Sequence, residues 1–112
     1  MYGASERTGS VRVVDFARLA TRKRTGRDNK GAWHEWTEPH GHVILDLEGV
    51  GFLDQARLAT LLRFSTHVRS GGGVVSLASL GKTVRLQVQI MRLYRMLDIF
   101  NSPKEALGAH RD

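Results

Sequence analysis

Residues 42–49, HVILDLEG, carry apolar side chains at both odd and even positions, Val43, Ile44, Leu45 and Leu47, before a closing glycine. A strand that wets one face alternates polar with apolar residues; a run without alternation must be covered on both sides. The chain therefore has to fold in layers, with this strand near the middle. The residues beyond Gly49 supply the cover. From Gln55 to Ser70, Leu58, Leu61, Leu62, Ser65 and Val68 recur at three- and four-residue spacing, while Arg57, Arg63 and His67 point elsewhere, which predicts an amphipathic helix. The glycines at 71–73 end it and turn the chain. VVSLASL (74–80) is a second buried strand. Val84, Val88 and Met91 then form an i, i+4, i+7 stripe of another helix, with Leu93 and Leu97 closing its far end. LDIF (97–100) reads as a short strand, and Ser102 and Pro103 cap and open a last helix, SPKEALGAH.

Strand, helix, strand, helix, strand, helix within about seventy residues implies parallel strands joined by right-handed helical crossovers. The fold class is α/β, a sheet layered with helices. Such sheets present their working surfaces at the carboxyl ends of the strands, and the stretch from Gly51 to Arg57 falls at one of these. Before His42 the order fades. TRKRTGRDNKGAWHEWTEPHG (21–41) has neither a period of two nor one of 3.6, and only VRVVDFARLA reads as regular, most simply a strand from Val11 to Phe16, with a short helix as the other option. Residues 1–41 are accordingly set apart as an atypical basic segment and 42–112 as the folded domain.

The length, 112 residues, suits one compact domain. There are no cysteines, so disulfides, thiolate zinc sites and cysteine nucleophiles are excluded. No apolar run approaches the roughly 20 residues that span a bilayer, and the opening residues lack the charged-then-apolar order of a secretion signal. A cytoplasmic location is the expectation. The net charge of +6 invites a nucleic-acid reading, carried by Arg22, Lys23, Arg24, Arg27 and Lys30. No aromatic platform alternates with them, so a solvated basic segment is the preferred account.

Four motifs hint at chemistry. GKT (81–83) matches the end of a phosphate loop, but the required earlier glycine falls on Ser76 and the nearest glycine cluster lies on the wrong side of a strand. HEWTEPHGH gathers His34, Glu35, Glu38, His40 and His42, yet a metal-binding helix needs His at i+4, where Glu38 stands, and Pro39 would break it; no metal site is expected. His40 and His42 could share a strand face. Asp46 lies within the buried strand with no partner base nearby, which suits an acceptor of backbone hydrogen bonds. Asp54 stands at the start of a helix, where it serves as an N-cap, and no Ser, Thr or Cys adjoins it to make a nucleophile. The chain offers no cofactor site, and an enzyme is not expected.

The run from Val43 to Leu107 resembles the STAS domains of bacterial anti-sigma-factor antagonists. The shared features come in order without a gap: LDL, FLD, LLR, GG, TVR, RL, DIF and EAL. The resemblance implies a STAS-like fold, a mixed sheet of about four or five strands with helices packed on one side and an atypical N-terminal part. It implies a non-enzymatic partner switch in transcription regulation or stress signalling. In such proteins the turn and helix start after FLD dock onto an anti-sigma factor that is also a serine kinase, and a hydroxyl there accepts phosphate. Two added negative charges at a packed interface break the complex. Carried onto this chain, the partner-binding residues are Leu53, Asp54, Gln55, Ala56, Arg57, Leu58 and Thr60.

The family's Asp-Ser-Ser-Gly becomes Asp54-Gln55-Ala56-Arg57 here. The phosphoacceptor position falls on Ala56, so the resemblance implies a docking surface whose switch is missing. Thr60 and Thr66 carry hydroxyls farther along the helix, but the family motif does not extend to them. Arg57 replaces a glycine that permits close backbone approach. Two consequences compete: an antagonist that is always on, or a scaffold that has lost its kinase. The family fills its first forty residues with two strands and a helix, which the polar stretch here does not match; a diverged, partly disordered arm or a frame-shifted stretch would account for it. Were those elements absent, bare apolar sheet would invite a homodimer or another STAS protein as partner. The alternatives from other classes are a STAS subunit of an ABC transporter, a signalling scaffold and, less favoured, a nucleic-acid-binding protein.

Overall fold

The computed structural model describes residues 5–8, 11–21 and 40–109. Among them, five strands and four helices succeed one another: β1 (Ser5–Thr8), β2 (Val11–Asp15), α1 (Phe16–Thr21), β3 (His42–Asp46), α2 (Gln55–Ser70), β4 (Val74–Ala78), α3 (Lys82–Ile90), β5 (Asp98–Phe100) and α4 (Pro103–Ala109). The basic cluster at residues 22–30 and the residues His34, Glu35 and Glu38 lie outside the described residues.

The strands form one sheet in sequential order. β2, β3, β4 and β5 run parallel, and β1 pairs antiparallel to β2. β3 is central and buried almost throughout, as its unbroken apolar run requires. Register puts Val14, Leu45 and Leu77 in one row and Val13, Ile44 and Ser76 in the next, so successive rows face opposite sides of the sheet. The larger core lies on the first side. There Val43, Leu45, Val75 and Leu77 meet Phe16 and Leu19 of α1, Leu61, Phe64 and Val68 of α2, and Val84 and Val88 of α3. α4 crosses to the second side, where Ala106 packs with Val11, Val13, Ile44 and Ala78. Three helices thus share the face that the resemblance assigns to them, and the short last helix covers the other.

Two strands and a helix precede residue 42, so the division there is one of composition; β2 hydrogen-bonds to β3 across it, and Phe16 and Leu19 enter the same core as α2 and α3. The strand at Val11 ends one residue before Phe16, which opens α1. At the other end of the chain, the α3 stripe stops short of Met91. The helix ends at Ile90, Arg92 takes the left-handed conformation at φ 58°, and a single 3-10 turn (Leu93–Arg95) comes next, so Leu93 and Leu97 reach the core from a turn instead of from helix. Met91 is consequently exposed.

The helix α2 ends as the glycine triplet predicts. Gly72 holds φ +84°, and the amides of Gly71 and Gly73 both donate to the Val68 carbonyl. The turn is then stitched to the start of β3, His40 N–H donating to Gly71 O at 2.9 Å and Val74 N–H to Gly41 O at 3.0 Å. At α4, Ser102 Oγ accepts from the Glu105 amide at 3.1 Å, and the Glu105 carboxylate accepts from the Asn101 amide at 2.6 Å, a reciprocal cap that sets the helix start.

Candidate functional site

The chain leaves the carboxyl end of β3 and reaches α2 through Leu47–Asp54, and three apolar side chains pin this loop. Leu47, Val50 and Leu53 are buried in the main core. Leu47 N–H donates to Ala78 O at 2.9 Å, extending the β3–β4 pairing by a rung, and Val50 N–H closes a turn onto Leu47 O at 3.0 Å around Gly49 at φ +85°. Asp46 supports the same turn from below, its carboxylate accepting from the Glu48 amide at 3.1 Å. This is the backbone-accepting role its place in the strand suggests.

The last anchor is a side chain on α3. Gln87 uses both ends of its amide on one residue: Leu53 N–H donates to Oε1 at 2.9 Å, and Nε2 donates to Leu53 O at 2.9 Å. Both polar groups of the Leu53 backbone are satisfied away from any strand or helix, and α3 is tied to the entrance of α2. Sequence reasoning does not single out Gln87. A glutamine between Val84 and Val88 looks like ordinary helix surface, and its partner is 34 residues away.

Asp54 caps α2. Its backbone is extended, at φ −77° and ψ 178°, and Oδ1 accepts from the Arg57 amide at 2.8 Å. Asp54, Gln55 and Ala56 are exposed, Arg57 and Leu58 are half-buried, and Leu53 and Thr60 are buried. Of the seven residues assigned by resemblance, three thus form the outer surface of the junction, two flank it, and two support it from within. Arg57 folds back on the loop, its Nη1 3.4 Å from the Phe52 carbonyl oxygen. Phe52, which the assignment omits, presents its ring to solvent with 54% of its surface exposed. The stretch from Phe52 to Ala59 contains no hydroxyl, and the next one along the chain, on Thr60, is 5% exposed. The surface is thus an apolar-to-polar ridge with an acid at the helix start and no hydroxyl or thiol between Phe52 and Ala59.

The remaining motifs sit elsewhere. Gly81 is the N-cap of α3, with Lys82 and Thr83 exposed on the first turn, so GKT starts a helix. His40 occupies a turn beside Gly72, and His42 opens β3 with Nε2 2.8 Å from Ser76 Oγ on β4. The two imidazoles therefore do not share a strand face. The Ser76 hydroxyl is fully buried, which makes this pair an internal bond between strands. Among the described residues no helix is long and apolar enough to cross a membrane.

Comparison with known proteins agrees with this architecture. The family model for the STAS domain matches residues 14–106. A crystal structure from Thermotoga maritima, described as that of a candidate anti-sigma factor antagonist, superimposes with a TM-score of 0.73 at 16% identity, covering 96% of this chain and 93% of that one. An anti-sigma-factor antagonist (STAS) domain protein from Planctomyces limnophilus gives a TM-score of 0.70 at 22% identity and 94% coverage of both chains. No curated protein matches the sequence. At these identities the structural likeness speaks to the fold.

Proposed function

This chain belongs to the STAS domain family, and from that premise we propose that it is a non-enzymatic regulator that docks onto a protein partner through the start of α2. The partner is an anti-sigma factor with serine-kinase activity, and the setting is the control of transcription in a bacterial cytoplasm. Asp54, Gln55 and Ala56 form the contact, Arg57 and Leu58 border it, and Leu53 and Thr60 hold its backbone in place. One observation carries the regulatory part. The position that the family resemblance gives to the phosphoacceptor is the exposed Ala56, and the next hydroxyl along α2, on Thr60, is buried, so a kinase seated on this position meets no hydroxyl there. The charge that would release the complex cannot be added, and the protein is an antagonist locked in its binding state.

Arg57 supports a second reading. Its guanidinium lies over the Phe52 carbonyl, where a glycine would leave the backbone open to close approach. On this reading the kinase is lost, and the ridge serves as a scaffold for another STAS protein.

The test is capture from the source cell's lysate with ATP present, using the natural chain, Ala56→Ser and Ala56→Ser/Arg57→Gly as baits, with phosphate on the bait read by mass spectrometry. The locked antagonist predicts that all three recover an ATP-binding anti-sigma kinase, and that only the two serine-bearing baits are phosphorylated and released. Recovery and phosphorylation by the double variant alone assign the block to Arg57 and favour the scaffold. If no bait recovers such a kinase, partner switching is wrong for this chain.

A further inference from the structure

Helix α3 carries apolar residues where a solvated helix has polar ones. Val84 and Val88 fill the core, and on the opposite side of the same helix Leu86 and Ile90, one turn apart, are 55% and 71% exposed. The apolar surface continues past the helix end through Met91, Tyr94 and Met96, all exposed. Neither the core nor the α2 junction uses this surface, since α3 meets the junction through Gln87.

Charge narrows what can cover it. Residues 81–99 contain Lys82, Arg85, Arg92 and Arg95 against one acid, Asp98. A second copy packed about a two-fold axis would bring these cations towards their own images, at a cost that grows as water leaves. The chain's own residues 22–39 hold five Lys and Arg against three acids, so they too carry the wrong sign. Shape separates the remaining candidates. Beside the apolar ridge lies a notch of about 390 Å³ lined by Arg85, Gln89, Tyr94 and Ile99. A lipid surface is entered by convex apolar side chains, whereas a peptide helix inserts side chains into an open, mostly apolar notch edged by a cation. The notch brings together a cation, an amide, a phenol and the aliphatic side chain of Ile99. Among the described residues the Arg85 guanidinium reaches a neutral group, Asn101 Oδ1 at 3.5 Å, a contact that a carboxylate displaces at little cost.

We propose that the outer face of α3 is a second docking surface, for an acidic amphipathic helix of a protein partner, whose apolar stripe lies on Leu86, Ile90 and Met91 and one of whose carboxylates enters the notch to Arg85. The assignment is independent of what binds at Ala56. It predicts a molecule that holds two protein segments at once, one at the start of α2 and one along α3.

The test is an NMR titration of the isotope-labelled full chain with a synthetic peptide helix that has Leu at i, i+3, i+4 and i+7 and Glu elsewhere. The expected result is saturable shifts confined to residues 82–99. Leu86→Glu/Ile90→Glu, on exposed positions that the fold does not need, weakens binding by about tenfold or more, the equivalent of about 1.4 kcal/mol. Arg85→Gln weakens it less, Arg85→Lys restores part of the loss, and Gln55→Arg at the junction leaves it unchanged. No saturation, or shifts spread over the surface, overturns the proposal. So does preferential binding to vesicles of phosphatidylglycerol, or concentration-dependent broadening of the same residues without peptide, which would mean a lipid surface or a second copy.

Discussion

Gln87 on α3 and Leu53 at the entrance to α2 exchange two hydrogen bonds of 2.9 Å, side-chain amide to backbone amide. A glutamine used in this way copies the donor and acceptor of a peptide group, so the loop gains the pairing that a neighbouring strand would give. Replacing it by leucine keeps the volume but strips both partners from a part-buried backbone. Gln87→Leu is expected to cost about 1–3 kcal/mol in denaturant unfolding and to speed hydrogen exchange at the Leu53 amide beyond any global effect. Unchanged exchange at Leu53 would show that the loop is held by its apolar anchors alone.

The α2 cap yields a separable effect. Asp54→Ala removes the acceptor for the Arg57 amide and should lower stability by about 1 kcal/mol, while Asp54→Asn should retain most of it. Equal losses in the two variants would point to charge at the helix start in place of the hydrogen bond.

Gly73 is fixed by space. A β-carbon there would stand 2.5 Å from the Gly41 carbonyl oxygen and 2.8 Å from Val68 Cγ1, and the first of these is backbone that cannot yield without parting β3 from the turn. Gly73→Ala is expected to destabilise the fold by about 1–3 kcal/mol. A melting temperature within a degree of the parent would mean that the turn relaxes freely.

One substitution should stabilise. Ser65 is fully buried on α2, and its hydroxyl has no hydrogen-bond partner among the described residues. Ser65→Ala removes an unsatisfied polar atom and raises helix propensity, for an expected gain of about 1 kcal/mol. A loss on calorimetry would reveal a partner for that hydroxyl, such as a carbonyl one turn back.

The parts of this fold that can be read from the sequence are those where one face of an element is uniformly apolar. VILDL could only be a covered strand, and Leu61 and Val68 lie where their spacing puts them, with Phe64 between them. Features that rest on a single residue's backbone or on distant pairing escape. Nothing in Met91-Arg92 announces a stop, because the left-handed turn is made by an arginine and not by glycine. β1 is too short and polar to show a period, and it becomes a strand because β2 offers it a free row of donors and acceptors. At the site, Asp54 was legible as a cap, and the missing hydroxyl at Ala56 through the family resemblance alone. The grip of Gln87 on Leu53 depends on where α3 lands, and the sequence spacing within α2 does not encode that.

The two strands at the margins of the sheet have a consequence for how this molecule meets others. β1 offers four residues of backbone and β5 only three, too few for an incoming strand to pair along. Neither margin is a good template for adding a strand, so growth of the sheet from one molecule into the next, the route to fibres, is curtailed at both ends. Recognition by main-chain pairing is closed off in the same way. Partners are left to read side chains on helices, where a single substitution can change who binds without disturbing the sheet beneath.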